Sequence, residues 1–351
     1  SSGEEIACRT QLPRYPLLAP DSICYLVLSS MRILLTTTSY QDTPGHHHSL
    51  LKASGHEIVG ASGPLSEDQM LELVQSGGGI DGILHGDDAI TRRVIEAALP
   101  RLKGLSKYGI GLDSVDLVAA TELKVPVCYT PGVNHTTVAE HTFGLIITLA
   151  RHIWVELNHV KQGRWQRMTG FELAGKTLGI LGLGRVGQEV AKRARAFEMS
   201  VVAYDPFWNA DFAQQYAVSF ANTADEVLRK ADVLCLHMNL TDDNRHFINA
   251  NRIALMKPSA IIVNGARGGL IDEADVAKAC RNGKLCGYAA DVLEHEPIQT
   301  PHPFQDIDNI IITPHVGSRT FESVERQAVM AAENLLRLLA GERPLAQANR
   351  V

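Results

Sequence analysis

The sequence has little of what marks several large classes of protein. Its 351 residues carry 33 lysines and arginines against 39 aspartates and glutamates, which gives a formal charge of −6. Because nucleic-acid-binding proteins normally carry a basic excess, this balance argues against such a partner. No stretch approaches the roughly 20 uninterrupted apolar residues of a membrane helix. We therefore expect neither a nucleic-acid nor a membrane partner.

Cysteine is also sparse. The six cysteines stand singly, without a Cys-x-x-Cys pair, at positions 8, 24, 128, 235, 280 and 286. Isolated thiols favour neither a disulfide framework nor a zinc site, and they indicate a reduced, cytoplasmic protein. The consecutive histidines His46–His48 lack paired carboxylates, so we predict a solvated loop there and no metal site.

The first thirty residues do not share the pattern of the rest, since "QLPRYPLLAP" has no hydrophobic period. We predict that residues 1–30 are a disordered or artificial extension and that the fold begins at Met31. A cleaved signal peptide is the alternative. The apolar run "ICYLVLSSMRILL" argues against it, because Arg32 interrupts the run and no basic leader directly precedes it.

From Met31 onward, short apolar runs alternate with helix-like stretches, the pattern of parallel sheets covered on both faces. A first series of strands is predicted at "RILLTTT", "EIVGA", "GILHG", "LKGLSKY" and "PVCYTP". A second series is predicted at "TLGILGL", "SVVAYD", "DVLCLHMN", "AIIVNGA", "CGYAADV" and "NIIITPH". Between the two series, "NHTTVAEHTFGLIITLAR" predicts a long apolar helix, with a capping box formed by Thr137 and Glu140.

This order predicts an α/β fold with two doubly wound parallel-sheet domains. One is a flavodoxin-like substrate-binding domain formed by residues 31–131 together with 319–351. The other is a Rossmann NAD-binding domain formed by residues 132–318.

The run "GILGLGRVG" (179–187) lies between a predicted strand and a predicted helix. Gly182 permits a tight turn, Gly184 lets the backbone approach a pyrophosphate, and Gly187 lets the helix pack closely on the sheet. The next strand ends at Asp205, where a carboxylate can bind ribose hydroxyls and repel a 2′-phosphate, which favours NAD. The alternative is a structural glycine turn followed by an exposed, capping aspartate.

Three chemically useful side chains follow strands of the second series. Arg267 follows "AIIVNGA", Glu296 follows "CGYAADV", and His315 ends "NIIITPH". A nicotinamide enzyme that oxidises an alcohol needs a base for the hydroxyl proton and a cation for the substrate. Taken singly, each residue has an ordinary explanation: a surface ion pair, a loop charge before Pro297, or a histidine satisfied at a strand end.

As an ordered set, "ELAGKTLGILGLGRVG", "NGARGGLIDE", "DVLEHEP" and "ITPHVG" resemble the D-isomer-specific 2-hydroxyacid dehydrogenases, most of all the phosphoglycerate dehydrogenases. The resemblance extends from Met31 to the last predicted helix. It implies an NAD-dependent oxidoreductase that transfers a hydride between nicotinamide and C2 of a D-2-hydroxy acid or 2-keto acid, with 3-phosphoglycerate as one candidate.

The resemblance also implies roles. His315 would take the hydroxyl proton, Glu296 would hold the imidazole and raise its pKa, and Arg267 would bind the substrate carboxylate. Asp291 would bind the nicotinamide carboxamide, and His237 would lie beside the cofactor without transferring a proton. The cofactor-binding residues implied are Gly182, Gly184, Arg185, Val186, Gly187, Asp205, His237, Ala266, Asp291 and Gly317.

On the substrate side, the loop "SKYGIGLDSVD" would offer the backbone N–H groups of Tyr108, Gly109 and Ile110 to the carboxylate. The resemblance implies that phosphoglycerate dehydrogenases of animal type have an arginine at the position of Lys107. That arginine approaches the substrate phosphate. Because lysine lacks the bidentate grip, the sequence leaves phosphate recognition open. His85 ends a first-series strand and is therefore a candidate substrate contact. The alternative is a histidine that does not face the cleft.

In the family, the region 134–165 embraces a second subunit. "HTFGLIITLARHIWVELNHV" is more hydrophobic than one buried helix face requires, so we predict a homodimer through this region. Other functions remain open: a glyoxylate or hydroxypyruvate reductase, a formate- or phosphite-oxidising relative, and a corepressor-like NAD(H)-sensing protein similar to the C-terminal-binding proteins.

Overall fold

The computed structural model describes residues 30–351, so the predicted extension lies, except for Ser30, outside the described residues. The strands are β1 Arg32–Leu35, β2 Glu57–Gly60, β3 Gly82–His85, β4 Gly104–Lys107, β5 Val127–Cys128, β6 Thr177–Leu181, β7 Ser200–Tyr204, β8 Val218–Phe220, β9 Val233–Leu236, β10 Ile261–Asn264, β11 Gly287–Ala290 and β12 Ile310–Ile312. The α-helices are α1 Thr38–Asp42, α2 His47–Ala53, α3 Glu67–Gln75, α4 Arg92–Ala98, α5 Leu117–Glu122, α6 His135–Ala150, α7 Ile153–Lys161, α8 Arg185–Ala196, α9 Ala210–Gln215, α10 Ala224–Lys230, α11 Ala250–Ile253, α12 Glu273–Arg281 and α13 Phe321–Leu339.

The first sheet has five parallel strands in the order β2-β1-β3-β4-β5, the flavodoxin-like order. Its central strands are apolar because both faces are covered. On one face, Leu34, Ile83 and Leu105 pack with residues of α3, α4 and α5. On the other, Ile33 and Leu84 pack with residues of α13. The last helix therefore returns to the sheet on which the described chain begins.

The second sheet has seven parallel strands in the order β12-β11-β10-β9-β6-β7-β8. The order reverses between β6 and β9, as in a Rossmann fold. Two apolar clusters cover its faces, one with residues of α10 and α12 and one with residues of α6 and α8. The predicted pair of parallel-sheet domains is confirmed. Strand β8 was not predicted, because it has three residues at the sheet edge and only Val218 is buried.

Two local predictions are wrong, the capping box in α6 and the loop at the histidine triplet. Helix α6 begins after Asn134, whose side chain makes no capping bond, and Thr137 lies inside the helix. Glu140 forms an ion pair with Arg193 at 3.0 Å instead of completing a capping box. The Thr-x-x-Glu spacing therefore does not mark the helix start, and Glu140 contacts α8 instead.

The histidine triplet is not a solvated loop. His47 begins α2 and is completely buried. Its Nε2 lies 2.9 Å from the carbonyl oxygen of Tyr40, and its Nδ1 lies 3.4 Å from Glu325 Oε2. The His48 ring bonds the Thr43 carbonyl oxygen at 3.1 Å. His47 therefore links the first helices to α13, while His48 bonds the neighbouring turn.

Within residues 30–351, no helix combines the length and apolarity that crossing a bilayer requires.

Candidate active site

The glycine run forms a turn that only small residues can make. Gly182 has φ +96°, and a Cβ there would lie 2.6 Å from the backbone of His237. At Gly187 a Cβ would lie 2.1 Å from the Gly182 carbonyl oxygen, so helix α8 touches the turn directly. Gly184 precedes α8, and a Cβ built there would meet no heavy atom within 4 Å. The turn is thus closed towards the protein and open at Gly184, which fits a pyrophosphate at the helix N-terminus.

Asp205 follows β7 beside this turn. Its Oδ2 accepts a hydrogen bond from Leu183 N–H at 2.6 Å, and its Oδ1 accepts one from Phe207 N–H at 2.7 Å. These bonds hold the carboxylate at the strand end, next to the glycine loop. A carboxylate has further lone pairs for ribose hydroxyls, so the position fits an adenosine ribose.

His237 follows β9, across the point where the strand order reverses. Burial lowers the pKa of its imidazole to about 4, so the ring is neutral. Neither ring nitrogen has a hydrogen-bond partner among the described residues. A buried polar group without a partner is costly, and a ligand that supplies one satisfies it. His237 therefore fits the predicted place beside a bound dinucleotide.

His315 and Glu296 form a close pair. Nδ1 of the imidazole lies 2.8 Å from Glu296 Oε2, while Glu296 Oε1 accepts the Leu293 N–H at 2.9 Å. The hydrogen bond with Glu296 raises the pKa of His315, and burial only partly opposes it. The arrangement leaves Nε2 as the nitrogen that can exchange a proton with a substrate.

The backbone at His315 is held in an unusual conformation. Its φ is +52°, a region that non-glycine residues rarely adopt. The His315 N–H donates to the carbonyl oxygens of Asp291 (3.0 Å) and Thr313 (2.9 Å). Such strain persists only where neighbouring bonds enforce it, and it is common where a side chain must be aimed.

The Asp291 carboxylate holds the loop around His315 in this conformation. It accepts the Thr313 hydroxyl at 2.6 Å and the N–H groups of Val316 and Gly317 at 2.9 Å and 2.6 Å. Burial alone would raise the pKa of Asp291, but hydrogen bonds from His141, Thr313 and the two N–H groups lower it. A Cβ at Gly317 would lie 2.7 Å from Asp291 Oδ2, so glycine allows the contact. Its binding of a carboxamide stays a prediction, since these donors already surround the carboxylate.

Arg267 reaches from the second sheet to the first. Its Nε donates to Asp113 Oδ2 at 2.9 Å, and its Nη1 donates to the Ala266 carbonyl oxygen at 2.7 Å. Asn264 Nδ2 fixes the turn by donating to the Arg267 carbonyl oxygen at 2.8 Å. The guanidinium lies against Gly111, where a Cβ would overlap it. Arg267 therefore faces the loop that was predicted to receive the substrate.

The structure corrects the prediction for that loop. Tyr108 N–H donates to the His85 carbonyl oxygen at 2.8 Å, and Gly109 N–H donates to Thr130 Oγ1 at 2.9 Å, so neither is free for a substrate. The Tyr108 hydroxyl lies 3.4 Å from Gln327 of α13. The N–H of Ile110 has no partner in the part of the chain that the structure describes, nor does that of Gly111. Any amide cradle for a carboxylate therefore begins at Ile110, two residues later than predicted.

Lys107 and His85 end neighbouring strands and are register partners. The Lys107 ammonium donates to the Gly86 carbonyl oxygen and to Asp87 Oδ1, both at 2.5 Å. His85 is fully buried, and its Nδ1 lies 3.0 Å from the Gly86 carbonyl oxygen. Burial, and secondly the Lys107 charge, lower the pKa of His85 to about 4. Lys107, which the sequence predicts as a substrate-side residue with phosphate recognition left open, is thus a paired cation.

Two carboxylates of this region, Asp87 and Asp113, were missed. Both follow or lie near first-sheet strand ends, in "HGDDAI" and "GIGLDSVD". Since strand ends of α/β sheets carry ligand-binding groups, their position was the available signal.

Comparison with known proteins identifies the family. Residues 143–317 match the family model "D-isomer specific 2-hydroxyacid dehydrogenase, NAD binding domain". A glyoxylate reductase of Thermofilum pendens is 36% identical over 293 residues, which are 82% of this chain and 86% of that protein. This chain belongs to the D-isomer-specific 2-hydroxyacid dehydrogenase family. The predicted family, its NAD cofactor and its oxidoreductase class are confirmed at this level.

A further relative and a solved structure resemble the chain over most of its length. A D-3-phosphoglycerate dehydrogenase of Methanocaldococcus jannaschii is 38% identical over 314 residues, which are 89% of this chain but only 58% of that protein. The crystal structure of the TT0316 protein of Thermus thermophilus has a TM-score of 0.81 at 35% identity, covering 91% of this chain and 100% of that one. The chain therefore spans little more than half of the phosphoglycerate dehydrogenase and most of the glyoxylate reductase.

Proposed function

We propose that this dehydrogenase transfers a hydride between NAD(H) and C2 of a D-2-hydroxy acid or its 2-oxo acid, with Arg267, Glu296 and His315 as its catalytic set. The observation that carries the proposal is the 2.8 Å pair of His315 and Glu296, combined with Arg267 lying against the Gly111 loop. These groups follow separate strands of a sheet whose glycine turn fits a dinucleotide.

When bound, NADH would supply the hydride that C2 of the 2-oxo acid accepts. The imidazolium of His315 donates its Nε2 proton to the carbonyl oxygen, so the product is the neutral alcohol. Glu296 keeps the proton on Nδ1 and stabilises the charged ring before this transfer. In the oxidative direction the neutral imidazole takes the hydroxyl proton back.

Arg267 would bind the substrate carboxylate and polarise the carbonyl oxygen, a task suited to a planar guanidinium. Its present partner Asp113 is more than half exposed, so a substrate carboxylate can replace or join it. The N–H groups of Ile110 and Gly111 lie on the same loop. The predicted set for NAD comprises the glycine turn, Arg185, Val186, Asp205, His237, Ala266, Asp291 and Gly317.

The decisive experiment uses Arg267→Ala and His315→Ala. Each should lower turnover of glyoxylate or hydroxypyruvate by two or more orders of magnitude, the size of effect seen when a group that stabilises developing charge is removed. NADH binding, followed by fluorescence, should survive in both variants. His246→Ala is the matched control, because His246 pairs with Glu294 at 2.9 Å as His315 pairs with Glu296.

Full activity in either variant would remove that residue from the mechanism. NADH binding by the natural chain without consumption, across a panel of 2-oxo acids, would favour an NAD(H)-sensing binding protein.

We further propose a homodimer through residues 134–165. Helix α7 buries none of its side chains, and Ile153, Leu157 and Val160 are exposed on it. Such an apolar surface is typical of a subunit contact. We also propose that residues 31–131 and 319–351 bind the substrate and residues 132–318 bind NAD. The cytoplasmic location stays a prediction.

A further inference from the structure

The Lys107 side chain is buried beneath an exposed carboxylate. Only 3% of the lysine side chain is exposed, against 69% of that of Asp87. The ammonium donates to Asp87 Oδ1 and to the Gly86 carbonyl oxygen, both at 2.5 Å. A ligand that approaches this cation from solvent therefore meets the Asp87 carboxylate first.

This carboxylate lies on the substrate side of the cleft. Asp87 follows β3, and the order of the first sheet reverses between β1 and β3, where open α/β sheets bind ligands. Although the Asp87 side chain is exposed, nearby protein atoms partly desolvate it and would raise its pKa; the charges of Lys107, His315 and Arg267 lower that pKa instead, so both catalytic groups lie within electrostatic range. In turn, the negative charge of Asp87 helps to raise the pKa of His315.

The neighbouring Asp88 shows that the loop is built to present Asp87 outwards. The buried Asp88 carboxylate accepts the Thr36 hydroxyl at 2.5 Å, the Leu65 N–H at 2.8 Å and the Gly86 N–H at 2.9 Å. These bonds fix the turn after β3 from inside. Asp88 thus holds the loop, and Asp87 pairs with Lys107.

Near this end of the cleft, the cations Lys107, Arg267 and Arg319 each pair with a carboxylate. Lys107 pairs with Asp87, and Arg267 pairs with Asp113 at 2.9 Å. Arg319 pairs with Asp42 at 3.3 Å, and its charge partly offsets the rise in the pKa of Tyr108 that burial causes. Arg267 is needed for the substrate's own carboxylate. A phosphate on C3 would bring further negative charge to a region where the other two cations are already neutralised.

We propose that Asp87 is a specificity-determining residue, which neutralises Lys107 and restricts the substrate to 2-oxo acids whose C3 substituent is absent or uncharged. A hydrogen atom or a hydroxymethyl group on C2 places no charge beside Asp87, whereas a phosphorylated substituent is repelled by it. This inference rests on the proposed hydride-transfer function and names the substrate class of the same site.

The test compares glyoxylate, hydroxypyruvate and 3-phosphohydroxypyruvate as substrates of the natural chain and of Asp87→Asn. The natural chain should favour hydroxypyruvate over its phosphorylated form by at least about tenfold in kcat/KM. Asp87→Asn removes one negative charge and frees Lys107, so kcat/KM for the phosphorylated substrate should rise about tenfold or more. Its kcat/KM for glyoxylate should change much less.

Two further variants sharpen the result. Adding Lys107→Met to Asp87→Asn should abolish the gain, since the freed cation is then lost. Asp225→Asn is the matched control, because Asp225 is an exposed carboxylate paired with Arg252 on another helix, and it should leave the ratio of the substrates unchanged. Should Asp87→Asn fold poorly, Asp87→Ser repeats the charge removal.

Equal use of both hydroxypyruvate forms by the natural chain would overturn the inference, as would an unchanged substrate ratio in the folded Asp87 variants or a gain that survives Lys107→Met. In each of these cases 2-oxo acids are still reduced, so the proposed function stands. If the natural chain reduces neither these three acids nor any other 2-oxo acid of the panel, the proposed function fails and this inference fails with it.

Discussion

Replacing Glu296 by glutamine isolates the charge of the pair with His315. Glutamine has nearly the same shape, and its amide oxygen can still accept the Nδ1–H bond that now spans 2.8 Å. The Leu293 N–H donates to the other carboxylate oxygen, Oε1, at 2.9 Å, and this second bond is lost because the glutamine NH2 group at that position cannot accept it. The substitution therefore removes a negative charge and one acceptor at nearly unchanged side-chain volume.

The size of the effect follows from the kind of bond. A hydrogen bond to a charged partner contributes about 1.5–3 kcal/mol and a neutral one about 0.5–1.5 kcal/mol. Because 44% of the His315 side chain and 34% of that of Glu296 are exposed, solvent screening places the pair near the lower end. We expect a loss of about 1 kcal/mol in stabilisation of the imidazolium, or about fivefold in its equilibrium with the neutral ring.

The direction with pH is fixed by the same contact. Reduction of a 2-oxo acid requires protonated His315, so its rate is full below the pKa of His315 and falls as the pH rises through it. Glu296 raises that pKa. In Glu296→Gln the fall should move to lower pH, and oxidation of the 2-hydroxy acid, which needs the neutral ring, should begin at lower pH.

The assay is NADH consumption with glyoxylate, measured as kcat/KM across the pH range, and the reverse reaction with the 2-hydroxy acid. Glu294→Gln is the matched control, because Glu294 pairs with His246 at 2.9 Å and not with His315. The reasoning is refuted if Glu296→Gln keeps the natural pH profile, or if Glu294→Gln shows the same displacement.

Three further outcomes are expected. Gly187→Ala places a Cβ 2.1 Å from the Gly182 carbonyl oxygen, so it should destabilise the fold by about 1–3 kcal/mol and weaken NADH binding; an unchanged melting temperature and affinity would contradict the close approach. Asp205→Asn removes the charge that would repel a 2′-phosphate, so the ratio of kcat/KM for NADPH to that for NADH should rise about tenfold, and a constant ratio would remove Asp205 from cofactor selection. Leu157→Glu on the exposed face of α7 should shift the protein from dimer to monomer in sedimentation; a natural chain that is already monomeric at micromolar concentration would refute the proposed dimer.

The sequence alone determined the features that depend on neighbouring residues. Short apolar runs that alternate with helix-like stretches predict parallel strands, because strands covered on both faces have no polar side. The spacing of Gly182, Gly184 and Gly187 predicts the turn, since its geometry is set within a few residues. Strand ends predict where Arg267 and His315 lie, because the carboxyl ends of parallel strands share one edge.

Tertiary structure decided what each polar group actually contacts. Asp87 neutralises Lys107 from a position 20 residues away, and Asp113 meets Arg267 across 154 residues. The N–H of Tyr108 is used by the neighbouring strand, so the loop has fewer free amides than its glycines indicate. Charge pairing and hydrogen bonding act through space, and which partners meet is settled only when the sheets have formed.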